Sequence, residues 1–196
     1  MKKVIILIIV ALLAISLFAG CSKKDSGKFT MGFDEGFPPM GFKDDSGNHV
    51  GFDIDLATEV CKRAGMELVL QPIDWKAKEM ELNSGNIDCI WNGFTINEER
   101  LANLLMSKPY MENMQIVVVL ADSPIQKLSD ITGKQVAVQD GSSAQDALAG
   151  NADLIENITQ IDFKDNVTAL MDLSSGQVDA LAVDSIVADY YTSKEP

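Results

Sequence analysis

One arginine lies where local helix stability does not favour a cation. Arg100 falls in the first turn of a predicted helix that opens at Thr95 or Asn97, and a positive charge there opposes the helix dipole. A guanidinium can grip a carboxylate through two parallel hydrogen bonds, and Thr95 could add a hydroxyl or backbone donor. A second interpretation stays open, in which Arg100 lies at the surface and pairs with Glu98 or Glu99.

A second candidate segment joins a predicted strand to a predicted helix. Gly141, Ser142 and Ser143 lie at this junction, where free backbone N–H groups at a helix start can bind an anion. Ser142 and Gln145 also have the spacing of a capping box. The segment therefore predicts either part of an anion site or a simple helix cap.

Two aspartates follow predicted strands and could hold an ammonium group. Asp184 ends a strand in the second half of the sequence, and Asp34 follows the first predicted strand. Each also has a simpler interpretation. Asp184 could cap the helix that begins at Ser185, and Asp34 could be an ordinary turn residue.

Two aromatic residues and one amide complete the candidates. Phe37 and Trp75 could form flat apolar walls of a pocket, although most such aromatic side chains belong to the core. Asn92 could face a cleft or a neighbouring loop. A zwitterionic ligand needs a cation and N–H donors for its carboxylate end and carboxylates for its ammonium end. It also needs aromatic faces for the stem, and the candidates together offer all three.

Apolar periodicity predicts alternating strands and helices, which favours an α/β fold with parallel layers. Strands are predicted at 28–33, 68–70, 87–94, 115–120, 135–139, 158–162 and 178–183. Helices are predicted at 53–64, 75–82, 97–106, 143–149, 165–173 and 185–192. A hairpin is predicted over residues 42–52.

An internal echo divides this pattern into two similar halves. Residues 80–90 and 171–181 are identical at five of eleven positions, and residues 73–76 are echoed by 161–164. A repeat of this size predicts two similar lobes rather than a short-period solenoid. Ligands of such sheets bind at the C-terminal ends of the strands, so the candidate residues would meet in a cleft between the lobes.

The first twenty residues have the pattern of a secretory signal, with a basic start, an apolar run over 4–18 and small residues at the end. The alternative is a transmembrane anchor, but the run is shorter than the roughly 20 residues that span a bilayer. The Ala19–Gly20–Cys21 segment resembles a bacterial lipobox, although Phe18 stands where leucine is usual. That resemblance implies cleavage before Cys21 and acylation of its thiol, with palmitate.

Charge and composition exclude several functions. Removing residues 1–20 takes away two lysines, which leaves 14 basic and 29 acidic residues and a net charge of −15. Such a surface repels nucleic acid, so no nucleic-acid partner is expected. His49 is the single histidine, so a metal site or a catalytic site that uses histidine is not expected. Export would permit a disulfide between Cys61 and Cys89, but two buried free thiols are the favoured interpretation.

Several ordered segments resemble one protein family. Residues 51–56 (GFDIDL) are similar to the motif of the bacterial extracellular solute-binding proteins of family 3, which serve polar amino-acid importers. Further matches follow at consistent spacing, at 32–39, 92–100, 108–110, 136–143 and 178–184. The resemblance runs from about Lys28 to the end of the chain. It implies a periplasmic-binding-protein-like α/β fold, with two lobes joined by hinge strands and a ligand cleft between them.

The resemblance also implies roles at the two ends of an amino acid. Arg100, with Thr95 and the Ser143 amide, would bind the α-carboxylate. Asp184, with the Gly93 carbonyl and Thr95, would bind the α-ammonium group.

The side chain of the ligand would lie among Asp34, Phe37 and Trp75. The rest of the expected ligand-binding set is Asn92, Gly141 and Ser142. A polar or basic side chain is favoured for the ligand, because Asp34 is compatible with a basic group.

The implied function is that of an extracytoplasmic receptor that delivers a free amino acid to the transmembrane permease subunits of an ABC importer. It would be lipid-anchored, in the periplasm or at the cell surface, and monomeric, with no catalytic residue, cofactor or metal. The alternative is an exported enzyme of the same fold, such as a dehydratase, which would need a general acid or base in the pocket. A ligand-sensing domain or structural lipoprotein is a third hypothesis.

The expected organisation is a signal peptide at 1–20, a lipid-anchored tether at 21–28, a first lobe at 29–114, a hinge strand at 115–120 and an incomplete second lobe at 121–196. The family's chains continue for several dozen residues, with a second hinge strand and C-terminal helices. The resemblance therefore implies either a fragment or truncated product, or a protein whose binding is impaired. Leu68 also stands where the family's usual partner of Cys61 would be.

Overall fold

The computed structural model describes residues 27–194. The predicted signal peptide, the lipidation site Cys21 and nearly all of the predicted tether lie outside the described residues. Within the described part, no helix combines the length and the apolar character that a membrane span requires.

Strands and helices alternate along most of the described chain. The strands are β1 Lys28–Phe33, β2 Gly36–Phe37, β3 Gly41–Lys43, β4 His49–Val50, β5 Glu67–Pro72, β6 Cys89–Ile90, β7 Gln115–Val118, β8 Gln135–Gln139, β9 Thr159–Phe163 and β10 Ala180–Asp184. The α-helices are α1 Phe52–Ala64, α2 Lys78–Ser84, α3 Glu98–Asn103, α4 Ser143–Ala149, α5 Ala152–Ile155, α6 Asn166–Ser174 and α7 Ser185–Lys194. Short 3₁₀ turns cover Trp75–Ala77 and Leu128–Ile131.

The first lobe is built on a parallel sheet with the strand order β5-β1-β6. Met31 of β1 lies between Leu70 of β5 and Cys89 of β6, and its side chain is fully buried. Ile54 and Ala57 of α1 pack on the same face. The small antiparallel sheet β2-β3-β4 follows β1 and leads into α1.

The second lobe is built on a sheet with the order β7-β10-β8-β9, in which β7 alone is antiparallel to its neighbour. Alternate residues of β8 and β10 face opposite sides, as strand geometry requires. Ala137, Leu181 and Val183 pack with α6 and α7 on one face. Val136 and Val138 pack with α4 and α5 on the other. The predicted α/β class with two lobes is the observed architecture.

Three predicted elements are longer than the observed ones by two or more residues, although β1, β8 and α4 have their predicted bounds. The predicted strand 87–94 is confined to Cys89–Ile90, the helix 97–106 to Glu98–Asn103, and the strand 115–120 to Gln115–Val118. In the first case the chain leaves the sheet because Gly93 adopts a left-handed backbone with φ 58°. Its N–H group donates to Asp53 Oδ2 at 2.6 Å instead of extending the ladder.

Candidate ligand site between the lobes

The carboxyl ends of strands from the two lobes face each other and make direct polar contacts. Gln139, at the end of β8, donates through Nε2 to the Asp34 carboxylate that follows β1. Lys76 Nζ of the first lobe lies 2.6 Å from Asp140 Oδ2 of the second. Ser143 Oγ lies 3.0 Å from Thr95 Oγ1. The strand-end residues of both sheets therefore line one junction, as the topology requires.

Arg100 is held at this junction by helix α3. Asn97 caps the helix by accepting the Arg100 N–H through its side chain at 2.8 Å. The Arg100 side chain is buried, with its Nη1 donating to the Thr95 carbonyl at 2.9 Å. Its guanidinium lies 4.3 Å from the centre of the Phe94 ring.

The closest carboxylate to Arg100 belongs to the other lobe. Asp146 Oδ2 lies 3.7 Å from Arg100 Nη2, and Asp146 itself is half exposed. The surface pairing with Glu98 or Glu99, left open by the sequence, is therefore not the observed arrangement. Burial lowers the pKa of Arg100, although a guanidinium remains charged in proteins.

Asp184 ends β10 and is also buried. Its Oδ1 accepts from Gln115 Nε2 at 2.6 Å and from Asn113 Nδ2. These two donors, rather than amides of α7, are its described side-chain partners. Burial raises the pKa of Asp184, while the two hydrogen bonds and the charge of Arg100 act in the opposite direction.

A run of polar contacts connects the arginine to the aspartate. Arg100 donates to the Thr95 carbonyl, and the Thr95 hydroxyl contacts the Ser143 hydroxyl. Ser143 Oγ then accepts from Gln115 Nε2 at 3.3 Å, and the same Gln115 amide donates to Asp184. A buried cation from one lobe and a buried carboxylate from the other thus lie at the two ends of a single hydrogen-bonded path.

The predicted anion segment forms the start of α4. Ser142 Oγ accepts the Gln145 N–H at 3.2 Å, so Ser142 is the helix cap. Gln145 Oε1 accepts the N–H of Gly141 at 2.8 Å, one residue earlier than in a standard capping box. The simple capping interpretation accounts for Ser142, whereas Ser143 and Gly141 contact the first lobe.

Asp34 combines the turn role and a contact across the lobes. Its Oδ1 accepts the Gly36 N–H at 2.7 Å, and its Oδ2 accepts from Gln139. The Gln139 amide oxygen in turn accepts from Asn166 Nδ2 at 2.9 Å. Burial raises the pKa of Asp34, while the hydrogen bonds from Gln139 and Gly36 act in the opposite direction.

The predicted aromatic walls are both buried. Trp75 meets Phe94 edge to face, with ring centres 5.6 Å apart. Phe37 packs beside Gly93, and with Met40 it joins the apolar cluster of the second lobe. Trp75 therefore lies on the Arg100 side of the junction, whereas Phe37 bridges the lobes.

Asn92 and Gly93 occupy the loop after β6. Asn92 is buried beside Gly41 and Phe33, and neither of its amide atoms has a described hydrogen-bond partner. The backbone N–H of Gly93 is taken by Asp53, a buried acid in the first turn of α1. Asn92 also lines a cavity beside β6, so the structure does not place it solely against its neighbouring segment.

Four polar residues of the junction were missed by the sequence analysis. They are Lys78, Asn113, Gln115 and Gln139. Gln139 directly precedes Asp140 at the end of a predicted strand, so the rule for strand ends could have identified it. Gln115 begins a strand, and this rule does not point to it. Lys78 lies three residues after Trp75, which is one helical turn.

A cavity of about 740 Å³ lies on the first lobe beside β6, next to this junction. Thr95 and Asn113 line it, together with the segment 105–114. Within residues 27–194 no group of three or more histidine, cysteine or acidic residues could hold a metal ion. Cys61 and Cys89 are both free, as the favoured interpretation expected, but only Cys61 is buried and Cys89 is partly exposed.

Residues 29–192 match the bacterial extracellular solute-binding proteins of family 3. The chain is 28% identical to the L-cystine-binding protein TcyJ of Escherichia coli K12, over 92% of this chain and 72% of that protein. It is 31% identical to the arginine-binding extracellular protein ArtP of Bacillus subtilis 168, over 97% of this chain and 76% of that protein.

A solved structure is similar over most of the fold. It is an ABC uptake transporter substrate-binding protein from Streptococcus pneumoniae with bound histidine, with a TM-score of 0.84 and 38% sequence identity. The match covers 87% of this chain and 71% of that protein. Both the sequence relatives and this structure are binding proteins.

Proposed function

The chain belongs to the bacterial extracellular solute-binding proteins of family 3, and from this membership we propose that it is the extracytoplasmic amino-acid receptor of an ABC importer. It captures a free amino acid between its lobes and delivers it to the permease subunits in the membrane. The relatives named above bind cystine, arginine and histidine. Family membership therefore supports an amino acid as the ligand and leaves its side chain open.

The observation that carries the proposal is the placement of Arg100 and Asp184. They come from different lobes, both are buried, and one polar path connects them. Arg100 binds the α-carboxylate with help from Thr95 and Ser143. Asp184 binds the α-ammonium group near Gly93. A ligand that bridges the two holds the lobes together, so binding and closure are coupled.

The remaining candidates surround the ligand's stem and side chain. Asp34, Phe37 and Trp75 form this part of the site, with Asn92, Gly141 and Ser142 supporting it. Hydrogen bonds from Gln139 and Gly36 leave Asp34 free lone pairs for a ligand donor.

Binding rather than catalysis is the proposed role. An exported enzyme of this fold would need an acid or base that can exchange protons with a bound substrate. Asp34 and Asp184 already accept hydrogen bonds from fixed amide donors, which favours static recognition. Incubating the protein with candidate amino acids and analysing the mixture for new products separates the two functions.

Anchoring through Cys21 is part of the proposal. Cleavage after Gly20 and acylation of the Cys21 thiol would hold the receptor at the outer face of the membrane, near the permease, as a monomer. Mass spectrometry of the protein purified from the producing cell would detect the added lipid. A mature protein that begins elsewhere, with an unmodified cysteine, would refute the anchor without affecting the binding function.

A calorimetric screen of the amino acids, with cystine included, tests the proposed function. We expect at least one to bind with a dissociation constant of about 1 µM or lower, which corresponds to roughly 8 kcal/mol. If no amino acid in the screen binds the folded protein, the proposal is wrong.

A further inference from the structure

Lys78 is a buried cation whose surroundings contain carbonyls and rings but no paired acid. Only 5% of it is exposed, although lysine is almost never buried unless it is paired. Among residues 27–194, no carboxylate oxygen lies within 4.0 Å of its Nζ. A buried charge of this kind is costly unless something compensates it.

The protein satisfies part of the hydrogen-bonding capacity of the Lys78 ammonium group. Nζ donates to the Trp75 carbonyl at 3.2 Å and to the Gly141 carbonyl of the other lobe at 2.8 Å. It also lies 5.2 Å from the centre of the Trp75 ring, within the range of a cation–π interaction. An ammonium group has three donors, and the third has no described acceptor.

The position of Lys78 connects it to the proposed ligand. Its Nζ and the Arg100 guanidinium approach the same Phe94 ring, at 6.0 and 4.3 Å from the centre. Trp75 lies against both Phe94 and Lys78 and is one of the residues proposed to surround the ligand's side chain. Lys78 thus lies beside Trp75 and near the Phe94 ring that Arg100 also contacts.

The buried charges of the junction divide into two opposite pairs. Arg100 and Asp184 are matched by the carboxylate and ammonium groups that all amino acids share. Asp34 and Lys78 remain for the part that differs between amino acids, and both contact the end of β8, through Gln139 and Gly141. Burial and the nearby charge of Arg100 lower the pKa of Lys78, because both disfavour a second positive charge at this place.

We infer that Lys78 is a specificity-determining residue, whose ammonium group donates to an oxygen of the ligand's side chain and repels a cationic side chain. The ligand class is an amino acid with an amide or carboxylate side chain, rather than one with a guanidinium or ammonium group. This inference rests on the proposed function and narrows it, because Asp34 alone is compatible with a basic side chain. Repulsion of the wrong ligand is a common source of specificity.

The test measures affinities of glutamine, glutamate, arginine and lysine for the wild type and for Lys78→Met, by calorimetry. Methionine keeps the length and apolar stem of lysine and removes its charge. For the wild type we expect glutamine or glutamate to bind more tightly than arginine or lysine. In Lys78→Met the ratio of arginine to glutamine affinity should rise by about tenfold or more, which is the effect of removing one like-charge contact.

Lys76→Met is the matched control, because Lys76 also contacts the other lobe but is 69% exposed at its side chain. Lys76→Met should change the affinity for all four ligands equally, so the ratio of arginine to glutamine affinity stays unchanged. A ratio that Lys78→Met does not alter would overturn the inference, as would a wild type that prefers arginine or lysine. A uniform loss for all ligands would instead place Lys78 on the shared α-carboxylate and also overturn it. Failure of every amino acid to bind would refute the proposed function itself, so the two outcomes are distinct.

Discussion

At the scale of single residues, burial determines how Asp34 and Asp184 behave. Both lie within a few per cent of full burial, and desolvation raises the pKa of each. Side-chain amides rather than cations supply their main hydrogen bonds. The ligand-free site therefore keeps two carboxylates at a cost in stability, which an ammonium group on the ligand would offset.

Replacing Asp184 with asparagine separates the charge from the hydrogen bonds. Both described donors, Gln115 and Asn113, bind Oδ1, which asparagine retains. We expect Asp184→Asn to weaken amino-acid binding by about 2–5 kcal/mol, because the ligand's ammonium group loses a buried charged partner. Calorimetry measures this loss, and Asp189→Asn, an exposed substitution on α7, is the control.

The same variant has an opposite effect on the ligand-free protein. The raised pKa means that the folded state holds the Asp184 proton more tightly than the unfolded state does. At a pH well below 3.8, the ordinary pKa of an aspartate, Asp184 is neutral and the charge costs no stability. The cost grows as the pH rises towards the raised pKa of the folded state, and it stays constant at any higher pH. Urea unfolding should show Asp184→Asn to be more stable than the wild type at pH 7, with a smaller gain in acid. A larger gain at low pH would contradict the account.

The sequence could predict site residues whose position follows from a local pattern, but not a residue whose burial depends on the other lobe. Arg100, Asp184 and Thr95 could be proposed because their types suit a zwitterion and their positions follow predicted strands. Lys78 could not, because a lysine at the start of a predicted helix is expected at the surface. Its burial depends on the approach of Gly141 from the other lobe, which no local pattern encodes.

At the scale of elements, helix α1 fixes the loop that carries the proposed ligand contacts. Asp53 is fully buried in its first turn and accepts from Trp91 Nε1 at 3.2 Å and from the Gly93 N–H at 2.6 Å. The motif at 51–56 therefore positions the segment 91–95 through Asp53. This contact also explains why the predicted strand 87–94 ends early, since local periodicity cannot show a hydrogen bond from a distant helix.

Removing this carboxylate should loosen the loop. Asp53→Ala removes the acceptor of the half-buried Trp91 indole N–H and one of the two acceptors of the Gly93 N–H, the other being the Tyr110 hydroxyl. We therefore expect the free energy of unfolding to fall by about 1–3 kcal/mol. Ligand affinity should fall as well, because Gly93 and Thr95 lose their fixed position. Asp55→Ala in the same helical turn is exposed and should change stability by no more than about 0.3–1 kcal/mol. Equal losses in the two variants, measured by denaturant unfolding, would show that Asp53 acts only through the helix dipole.

At the scale of the whole molecule, Gly141 is one of the residues through which the two lobes contact each other. Its backbone has φ 73°, and an added Cβ would lie 3.1 Å from the Lys76 Cα of the first lobe. The Gly141 carbonyl also accepts from Lys78. A side chain at this position would therefore press on the Lys76 backbone unless that segment shifted by a few tenths of an ångström.

Gly133 provides a matched comparison for this position. It has φ 76° in the same lobe, but an added Cβ there would meet no atom within 4 Å. Both Gly133→Ala and Gly141→Ala should lose about 1–2 kcal/mol of stability from left-handed backbone strain. Only Gly141→Ala should weaken ligand affinity by a further factor of about ten, which corresponds to roughly 1.4 kcal/mol. Unfolding and calorimetric titrations measure the two effects, and equal affinities in the two variants would refute a role for Gly141 in closure.

The central claim is that Arg100 holds the α-carboxylate of an amino acid that also reaches Asp184. Its most direct test is calorimetric titration of the wild type and Arg100→Met with the bound amino acid and with its α-carboxamide, which lacks the carboxylate charge. The wild type should prefer the free amino acid by about 2–5 kcal/mol. Arg100→Met should bind both forms weakly and equally, whereas Arg63→Met, an exposed substitution, should keep the preference. A preference for the carboxylate that survives in Arg100→Met would contradict the account.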